Sequence, residues 1–421
     1  MNAKAGDKVR VTTQAETFEG TLVPRPDLLS DDITVIKLTT GYNIGIETKK
    51  IKKIDILANA TEPIEKTSKA KHNPALPTVA ILSTGGTISS KVDYKTGGVS
   101  ADLTADDFAA MLPELATIAN LKTKKVMNMM SEDALASDWH AIAAAVLDIL
   151  PDVDGVVITH GTDTMHYTSA ALSFLLKDLN KPVIITGAQR SIDRGSSDAY
   201  LNLFSAVSAA ARWNAAEVAI CMHSSMNDDH CSLLRGTKVR KMHTSRRDAF
   251  QPINSTSVAR VLPDGTIEEL EKPLRARNDG KTTLRALNSD VAFIYSHPNL
   301  DPELIEFALK QKKKAILIAG TGLGNLPIHN KQNIMTALTK AAAKIPIFIC
   351  NQTIYGRVHR AVYSTMRELS LRIGAHYLED MHAETAFAKL CVALEQKDPV
   401  AFMKQNIAGE ITNRSLDDHF P

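Results

Sequence analysis

The sequence has few cysteines and almost no net charge. Its four cysteines are scattered, at Cys221, Cys231, Cys350 and Cys391. Because no two of them form a CxxC pair, a zinc site or a disulfide framework is disfavoured and buried free thiols are favoured. The 49 basic residues nearly balance the 47 acidic ones, and a net charge of +2 does not drive wholesale binding to a polyanion. Any contact with a nucleic acid must therefore be local.

Long apolar runs are also lacking. Residues 1–11 contain charged side chains and no apolar core of a signal peptide. The longest apolar stretches, 345–350 and 315–319, are far below the ~20 residues of a membrane span. We therefore expect a cytoplasmic protein. With 44% hydrophobic and 23% charged residues, the composition argues against long disorder, collagen-like repeats and coiled coil.

The residue composition and the spacing of apolar residues change twice along the chain. Short alternating segments separated by turn residues predict a small β-barrel of the SH3-like type over residues 1–58. The apolar period then disappears into Thr, Glu, Lys, Ser and Pro, which is the composition of a linker, over residues 59–77.

After residue 77, strand-like runs alternate with Ala-rich helical stretches, the βαβ rhythm of a parallel sheet covered on both faces. The first series has strands at 78–83, 155–159, 182–186 and 218–223 and helices at 136–149, 167–177 and 198–213. The second has strands at 291–296, 315–319 and 346–350 and helices near 302–311, 331–343 and 383–395. The predicted fold class is α/β, with an N-terminal domain at 78–275, a linker at 276–289 and a smaller C-terminal domain at 290–421.

The first strand of this core runs directly into the polar turn STGGTIS at residues 83–89. Ligands of open parallel sheets lie beyond the carboxyl ends of the strands, where paired glycines let the backbone approach a ligand closely. Thr87 is in the right place for a nucleophile. The alternative is a tight turn with Thr87 near a helix N-cap.

A second polar turn, THGTDTM at residues 159–165, follows the next predicted strand. It brings a hydroxyl, Thr162, and a carboxylate, Asp163, to the same edge of the sheet, where they suit proton transfer and the binding of an amine. Helix capping is the alternative for Asp163, which the coincidence of two such turns disfavours. His160 is a candidate general base, but a packed, hydrogen-bonded histidine at a strand end is at least as well supported.

Together these turns resemble the two signature motifs of the bacterial-type L-asparaginase and glutaminase family. Three further stretches agree: TGAQRS at 186–191, VRKMHTSRRDAF at 239–250 and GTGLGN at 320–325. The similarity runs from about residue 78 to the end of the chain. It implies an asparaginase-like core of two α/β domains.

The resemblance implies catalytic roles for four residues. Thr87 corresponds to the nucleophile that attacks the side-chain amide. Thr162 and Asp163 correspond to the pair that assists it, and Lys241 corresponds to the lysine that completes the proton relay. A threonine hydroxyl is a poor nucleophile until a neighbour takes its proton, which a lysine does only as the neutral amine. By itself the sequence shows Lys241 only as one member of the basic run 238–241, so its assignment depends on the resemblance.

Three residues are carried over as substrate-binding positions. Tyr94 corresponds to the tyrosine of a mobile lid that excludes water, and Ser131 to the serine that holds the substrate α-carboxylate. Glu132 stands where many members that act on free asparagine have glutamine, which leaves the preference between glutamine and asparagine open. Without the resemblance, Tyr94 reads equally well as a surface aromatic and Ser131 as a helix N-cap.

No cofactor is implied for this chain. The turn at residues 320–324 follows a predicted strand, but its spacing is neither GxGxxG nor GxxxxGK[ST]. The sequence also has no HExxH motif and no cluster of His and Cys ligands. We therefore expect neither a nucleotide nor a metal at this site.

The 77 residues that precede the core set this chain apart from an ordinary asparaginase. That arrangement, with TFEGTL at 17–22 and NMMSED at 128–133, resembles the D-subunit family of the archaeal glutamyl-tRNA(Gln) amidotransferases. In that family the subunit releases ammonia from glutamine or asparagine, and its partner, the E subunit, uses it to amidate an ATP-activated glutamate carried on tRNA(Gln). The resemblance implies that ATP and Mg act in the partner, that most tRNA contacts belong to the partner, and that a homodimer lies within a heterotetramer.

A second interpretation stays open: a stand-alone L-asparaginase with an unrelated N-terminal binding domain. A catalytically silent scaffold is disfavoured because all four predicted catalytic residues are present. The basic segment 49–53 is a candidate contact for tRNA or the partner, but a solvated strand edge that resists aggregation is favoured.

Overall fold

The computed structural model describes residues 3–4, 6–23, 32–38, 43–59, 72–86, 88, 91–92, 99–100, 112–190, 197–271 and 274–417. Within this part of the chain, no helix is both long enough and apolar enough to cross a membrane. All four cysteines are free and buried, as predicted.

The N-terminal module is a five-stranded antiparallel sheet with the strand order β4-β3-β2-β1-β5. Its strands are β1 (Lys8–Thr13), β2 (Thr17–Leu22), β3 (Ile33–Leu38), β4 (Asn43–Glu47) and β5 (Ile51–Ala58). Val9 and Val11 are buried and alternate with exposed Lys8 and Arg10, so one face of β1 contributes to a small apolar core. The predicted β-rich N-terminal module is therefore present.

The basic segment 49–53 lies where a 3-10 turn, Thr48–Lys50, leads into the edge strand β5. Lys49 and Lys50 both pair with Glu47, at 3.2 and 2.6 Å, and Lys53 lies 2.7 Å from Asp55. Three of its lysines therefore have acidic neighbours on the module's own surface.

The first α/β domain is built on an eight-stranded sheet. Its strands and accessory strands are β6 (Thr78–Ser83), β7 (Lys91–Val92), β8 (Val99–Ser100), β9 (Asn120–Lys125), β10 (Gly155–Thr159), β11 (Leu176–Lys177), β12 (Val183–Thr186), β13 (Val218–His223), β14 (Cys231–Arg235), β15 (Val239–Lys241), β16 (Phe250–Pro252), β17 (Ala259–Val261), β18 (Ile267–Glu269) and β19 (Thr283–Leu284). Its helices are α1 (Leu115–Ile118), α2 (Ala136–Ile149), α3 (Met165–Leu175) and α4 (Ala199–Arg212).

The order of the large sheet is β18-β17-β14-β13-β12-β10-β6-β9. Five adjacent strands of this sheet, β9, β6, β10, β12 and β13, are parallel. Strands β14, β17 and β18 extend the sheet in antiparallel fashion. Every residue of β10 and β13 is buried, as expected for strands covered on both faces. Three short pairs, β7–β8, β11–β19 and β15–β16, lie outside this sheet.

The second α/β domain has a four-stranded parallel sheet in the order β20-β21-β22-β23. Its elements are β20 (Val291–Tyr295), α5 (Pro302–Lys310), β21 (Ala315–Gly320), α6 (Ile334–Ala342), β22 (Ile347–Asn351), α7 (Ser364–Arg367), β23 (His376–His382), α8 (Ala383–Ala393) and α9 (Pro399–Lys404). One apolar cluster contains Leu82 and Ile158 of the first sheet together with Leu317, Phe348 and Leu390 of the second domain. The two α/β domains therefore share a core.

The strands and helices predicted in the two α/β domains are present within three residues of their predicted bounds, but strands β9, β14, β17, β18 and β23 were not predicted. One predicted helix also differs at its end. The helix predicted at 167–177 lies at Met165–Leu175, and Leu176 and Lys177 form a strand that pairs with Leu284 and Thr283. A tertiary partner, invisible in the local pattern, decides the conformation of these two residues.

The segment predicted as a linker, 276–289, packs against the first α/β domain. The guanidinium of Arg277 donates to the carbonyl oxygens of Asp154, Ala210 and Trp213, at 2.6 to 2.8 Å. Arg285 donates to the carbonyl of Phe174 at 2.7 Å. The arginines in this stretch thus satisfy backbone acceptors at the ends of neighbouring elements.

Candidate active site

The two signature turns lie side by side, as predicted. Strands β6 and β10 are parallel neighbours, with Ser83 in register with Thr159 at their carboxyl ends. The amide and hydroxyl of Thr84 both donate to the carbonyl of Thr159, at 3.1 and 2.9 Å. The two turns are therefore hydrogen-bonded to each other at the carboxyl ends of their strands.

The paired glycines of the first turn are required by close backbone contacts. Gly85 and Gly86 have φ angles of +111° and +83°, in the region that glycine adopts without strain. A Cβ on Gly85 would lie 2.4 Å from the carbonyl oxygen of Met129, and one on Gly86 would lie 2.7 Å from the amide nitrogen of Gly161. The predicted nucleophile Thr87 and the predicted lid residue Tyr94 lie outside the described residues.

Three of the predicted catalytic residues meet in one cluster. Lys241 is the last residue of β15, and its Nζ donates to Oγ1 of Thr162 at 2.9 Å and to Oδ1 of Asp163 at 2.7 Å. The Lys241 side chain is 10% exposed and that of Asp163 is 63% exposed. The Asp163 carboxylate therefore reaches solvent while Nζ of Lys241 lies against the protein.

The alternative interpretation of Asp163 as a helix cap does not hold. Helix α3 begins at Met165 after Thr164, and no side chain caps its first turn. The Asp163 carboxylate pairs with Lys241 instead.

Ser131 joins the second turn to the loop that follows β9. It is buried, and its Oγ accepts a hydrogen bond from the amide of Asp163 at 3.2 Å. Its carbonyl accepts from the hydroxyl of Thr164. Glu132 follows in the same 3-10 turn, Ser131–Asp133, and is exposed. Ser131 thus contacts the backbone of Asp163 in the Lys241 cluster, and Glu132 is the next residue along the chain.

His160 is a packed histidine, as one of its two interpretations predicted. It is buried, with Nδ1 2.7 Å from the carbonyl of Gly161 and Nε2 3.0 Å from Oγ1 of Thr168. Burial lowers the pKa of this imidazole. Both ring nitrogens are used inside the protein, which removes His160 from the candidate bases.

A cleft of about 310 Å³ opens at the Lys241 cluster. It is lined by Asp163, His166, Arg240, Lys241, Met242, His243 and Thr244. A larger groove of about 650 Å³ lies along β23 in the second domain and contains none of the predicted site residues. The residues described here include no group of His, Cys, Asp and Glu side chains arranged to hold a metal ion.

Two of the lining residues, His166 and Arg240, were missed from the sequence. His166 is buried, and burial lowers its pKa to about 4, which leaves the imidazole neutral at neutral pH. Among the described residues, its Nδ1 has no hydrogen-bond partner. Its position one residue after the THGTDTM turn was the available signal.

Arg240 leads from the cleft to a buried carboxylate of the second domain. Its Nε lies 2.9 Å from Oε1 of Glu384, and Nδ1 of His382 lies 3.0 Å from the other carboxylate oxygen. Burial alone opposes ionisation of Glu384, but the hydrogen bond from His382 and the nearby guanidinium of Arg240 lower its pKa to about 2. Glu384 is therefore a buried anion that pairs with the residue directly before Lys241.

Family models match nearly the whole chain. The model described as "Asparaginase, N-terminal" matches residues 78–275, and "Glutaminase/Asparaginase C-terminal domain" matches residues 290–405. The model "GatD N-terminal domain" matches residues 3–57. The chain is thus composed of an asparaginase core and the N-terminal module of one particular group of proteins.

Solved structures of asparaginases share the fold of the core. The thermostable L-asparaginase from Thermococcus kodakarensis has a TM-score of 0.71 and 31% identity, covering 80% of this chain and 100% of that one. L-asparaginase I from Vibrio cholerae has a TM-score of 0.68 and 28% identity, with 80% and 99% coverage.

Two relatives that match this chain over nearly their full length are D subunits of the same enzyme. The D subunit of the glutamyl-tRNA(Gln) amidotransferase of Pyrococcus abyssi is 43% identical over 98% of this chain and 95% of its own length. That of Methanothermobacter thermautotrophicus is 44% identical over 99% of this chain and 95% of its own length. The chain belongs to the D-subunit family of the glutamyl-tRNA(Gln) amidotransferases.

Proposed function

We propose that this chain releases ammonia from the side-chain amide of glutamine or asparagine and supplies it to a partner subunit, which amidates glutamate carried on tRNA(Gln). The observation that carries the proposal is the contact of Lys241 with Thr162 and Asp163 beside the glycine turn that precedes Thr87. The N-terminal module and the name shared by full-length relatives support the amidotransferase role over a stand-alone asparaginase.

The proposed reaction has two steps. Thr87 attacks the amide carbon, and its proton passes toward Lys241 through Thr162, which lies 2.9 Å from Nζ. The tetrahedral intermediate collapses as the amide nitrogen takes up a proton and leaves as ammonia, and the acyl group remains esterified to Thr87. Water then attacks the ester by the same relay, releasing glutamate or aspartate and restoring the hydroxyl.

Substrate binding is assigned to the side chains around the relay. The exposed Asp163 carboxylate has room to accept the substrate α-ammonium while one of its oxygens stays on Lys241. The Ser131 hydroxyl accepts from the amide of Asp163, which leaves its own proton for the α-carboxylate. We assign Tyr94 to a lid over the bound amide, and Glu132 to the rim, where its charge influences the choice of substrate.

The chemistry assigned to this chain uses no cofactor. Activation of the glutamyl group requires ATP and Mg, which we assign to the partner, the E subunit, together with most tRNA contacts. We propose that this chain forms a homodimer within a heterotetramer. The N-terminal module would contact the partner or tRNA in this assembly.

The test is a comparison of ammonia release from glutamine and from asparagine. It is measured with this chain alone, with the partner, and with the partner, ATP and glutamyl-tRNA(Gln) together. A subunit that serves the amidation step should be fastest in the complete mixture. Rapid hydrolysis of asparagine by the isolated chain, unchanged by the other components, would identify a stand-alone asparaginase.

A further inference from the structure

We propose that Glu384 of the second domain is a positioning residue for Lys241, acting through Arg240. This inference rests on the proposed function, in which Lys241 is the end of the proton relay. Its consequence is that the second α/β domain, which contributes no residue to the relay itself, sets the place of the relay lysine.

The first observation is that the strand carrying Lys241 is not part of the eight-stranded sheet. Strand β15 has three residues, and among the described residues it pairs only with β16, in a two-stranded sheet separate from the eight-stranded one. A two-stranded pair is marginal by itself. Contacts from elsewhere must therefore fix β15.

The second domain supplies several of those contacts. Nζ of Lys238 lies 2.6 Å from Oδ2 of Asp380, with both side chains 1% exposed, directly before β15. The carbonyl of Thr237 accepts from the hydroxyl of Thr385 at 2.9 Å. Arg240, inside β15, pairs with Glu384, whose side chain is 4% exposed. One stretch, residues 380–385, thus holds β15 at its entry and at its middle.

Strand geometry transmits this anchoring to Lys241. Successive side chains of a strand point to opposite sides, so Arg240 directed at Glu384 turns Lys241 toward Thr162 and Asp163. Glu384 is itself fixed, because His382 bonds it through Nδ1 and bonds the Thr385 hydroxyl through Nε2 at 2.9 Å. The anion that pairs with Arg240 is therefore held in place by contacts of its own.

The expected effect is on the chemical step. In Glu384→Gln the neutral amide accepts a weaker hydrogen bond from Arg240, so the middle of β15 is held less firmly. Because a displacement of about 1 Å at a reacting group costs on the order of 10²-fold, kcat for glutamine should fall about 10- to 100-fold while KM changes little. Arg240→Lys retains the charge but loses the planar fork, and its loss should be smaller.

Glu410→Gln is the matched control. Glu410 is equally buried and faces a lysine, Lys389, and its hydrogen bonds go to Lys389 and to the amides of Ile407 and Ala408 rather than to Arg240. Its link to the segment before β15 is indirect, through Ala408, whose carbonyl accepts from the hydroxyl of Thr237 at 2.9 Å. Both variants lose a buried charge, so a comparable loss of thermal stability is expected in both. The loss of kcat should be much larger in Glu384→Gln, because Glu384 contacts β15 directly.

The second readout reports on Lys241 without requiring activity. The purified complex is treated with trinitrobenzenesulfonate, and modification of Lys241 is followed by peptide mass spectrometry. Released from Thr162 and Asp163, Lys241 should be modified several-fold faster in Glu384→Gln than in the wild type or in Glu410→Gln. Equal rates in all three proteins overturn the positioning role, as do equal kcat losses in the two variants. If the wild type releases no ammonia at all, the proposed function fails, while the labelling comparison still decides the positioning claim.

Discussion

Lys241 makes its two hydrogen bonds to residues that lie 79 and 78 positions earlier in the chain. A lysine that is held by a threonine hydroxyl and a carboxylate, with its own side chain mostly covered, is suited to exchange a proton with the hydroxyl. At this scale the proposed activity depends on three side chains acting as a unit.

The relay predicts strongly non-additive losses. Thr162→Val, Asp163→Asn and Lys241→Ala should each lower kcat for amide hydrolysis on the order of 10³-fold, and combining two of them should cost little more than one. Thr87→Val should abolish ammonia release with the fold intact, because valine keeps the β-branched shape and lacks the hydroxyl. Steady-state ammonia assays provide the measurement. Multiplicative losses in the double variants would mean that the residues act separately.

His166 predicts a pH dependence of stability. Its pKa is about 4 in the folded protein, against 6.5 for a histidine in water, so the unfolded chain binds more protons between these values. The free energy of unfolding should therefore fall as the pH decreases from 6.5 toward 4, by up to about 3 kcal/mol, and stay unaffected by this group above pH 7.

Urea unfolding at pH 7.5 and pH 5 measures this effect. His166→Gln should lose less stability between the two conditions than the wild type, whereas His297→Gln, at an exposed histidine, should lose as much as the wild type. An identical pH dependence in wild type and His166→Gln would show that His166 is not held neutral.

Sequence reasoning found residues that stand in short motifs and missed those that act through tertiary contacts. Thr162 and Asp163 follow a strand in a recognisable turn. Within the run 238–241 the residues gave no sign of which cation faces which carboxylate: Lys238 is the one buried with Asp380, and Lys241 the one at the cleft. Glu384 lies 144 positions from Arg240, and no local pattern links them.

At the scale of elements, three turns interlock at the carboxyl ends of β9, β6 and β10. Gly86 lies against Gly161, and a Cβ on Gly161 would lie 2.8 Å from Oγ of Ser131. Strands β6 and β10 were predicted from short continuous apolar runs between turn residues. Strand β9, with the sequence NLKTKK, has no such run and was not predicted. The interlocking of the turns was not predictable, because it depends on backbone distances between separate loops.

Gly86→Ala tests the interlocking, with Gly374→Ala as control. Both glycines have left-handed backbones, at φ +83° and +74°, so alanine costs about 1 kcal/mol at either position. At Gly86 the added Cβ would lie 2.7 Å from the backbone of Gly161. At Gly374 the added Cβ would have no atom within 4 Å outside its chain neighbours. Gly86→Ala should lose clearly more stability by urea unfolding, and most of the activity. Equal effects at the two positions would argue that the turns are not tightly packed.

At the scale of the whole molecule, buried ion pairs join segments that are distant in sequence. Lys238 and Asp380 connect the two α/β domains, and the amide of Thr412 donates to Asp380 at 3.0 Å. Lys389 and Glu410 connect α8 to the same C-terminal segment. The βαβ rhythm predicted each domain, but the pairing across 142 positions is a property of the assembled fold.

Breaking the interdomain pair on one side should be costly. Asp380→Asn leaves the Lys238 ammonium buried without its counter-charge, and we expect a loss of about 3–5 kcal/mol in the free energy of unfolding. Replacing both partners, as Lys238→Met with Asp380→Leu, should recover part of that loss, because the uncompensated charge is removed while the amide of Thr412 still lacks its acceptor. Urea unfolding of the three proteins measures it. A single variant as stable as the wild type would show that the charge is compensated by other groups.

The most direct test of the central claim measures amidation itself. The complex of this chain with its partner is supplied with ATP, glutamyl-tRNA(Gln) and either glutamine or ammonium chloride, and formation of glutaminyl-tRNA(Gln) is followed for wild type and Lys241→Ala. If this chain supplies the ammonia, the variant complex fails with glutamine and proceeds at the wild-type rate with ammonium. Normal amidation from glutamine by the variant, or failure with both donors, would contradict the account.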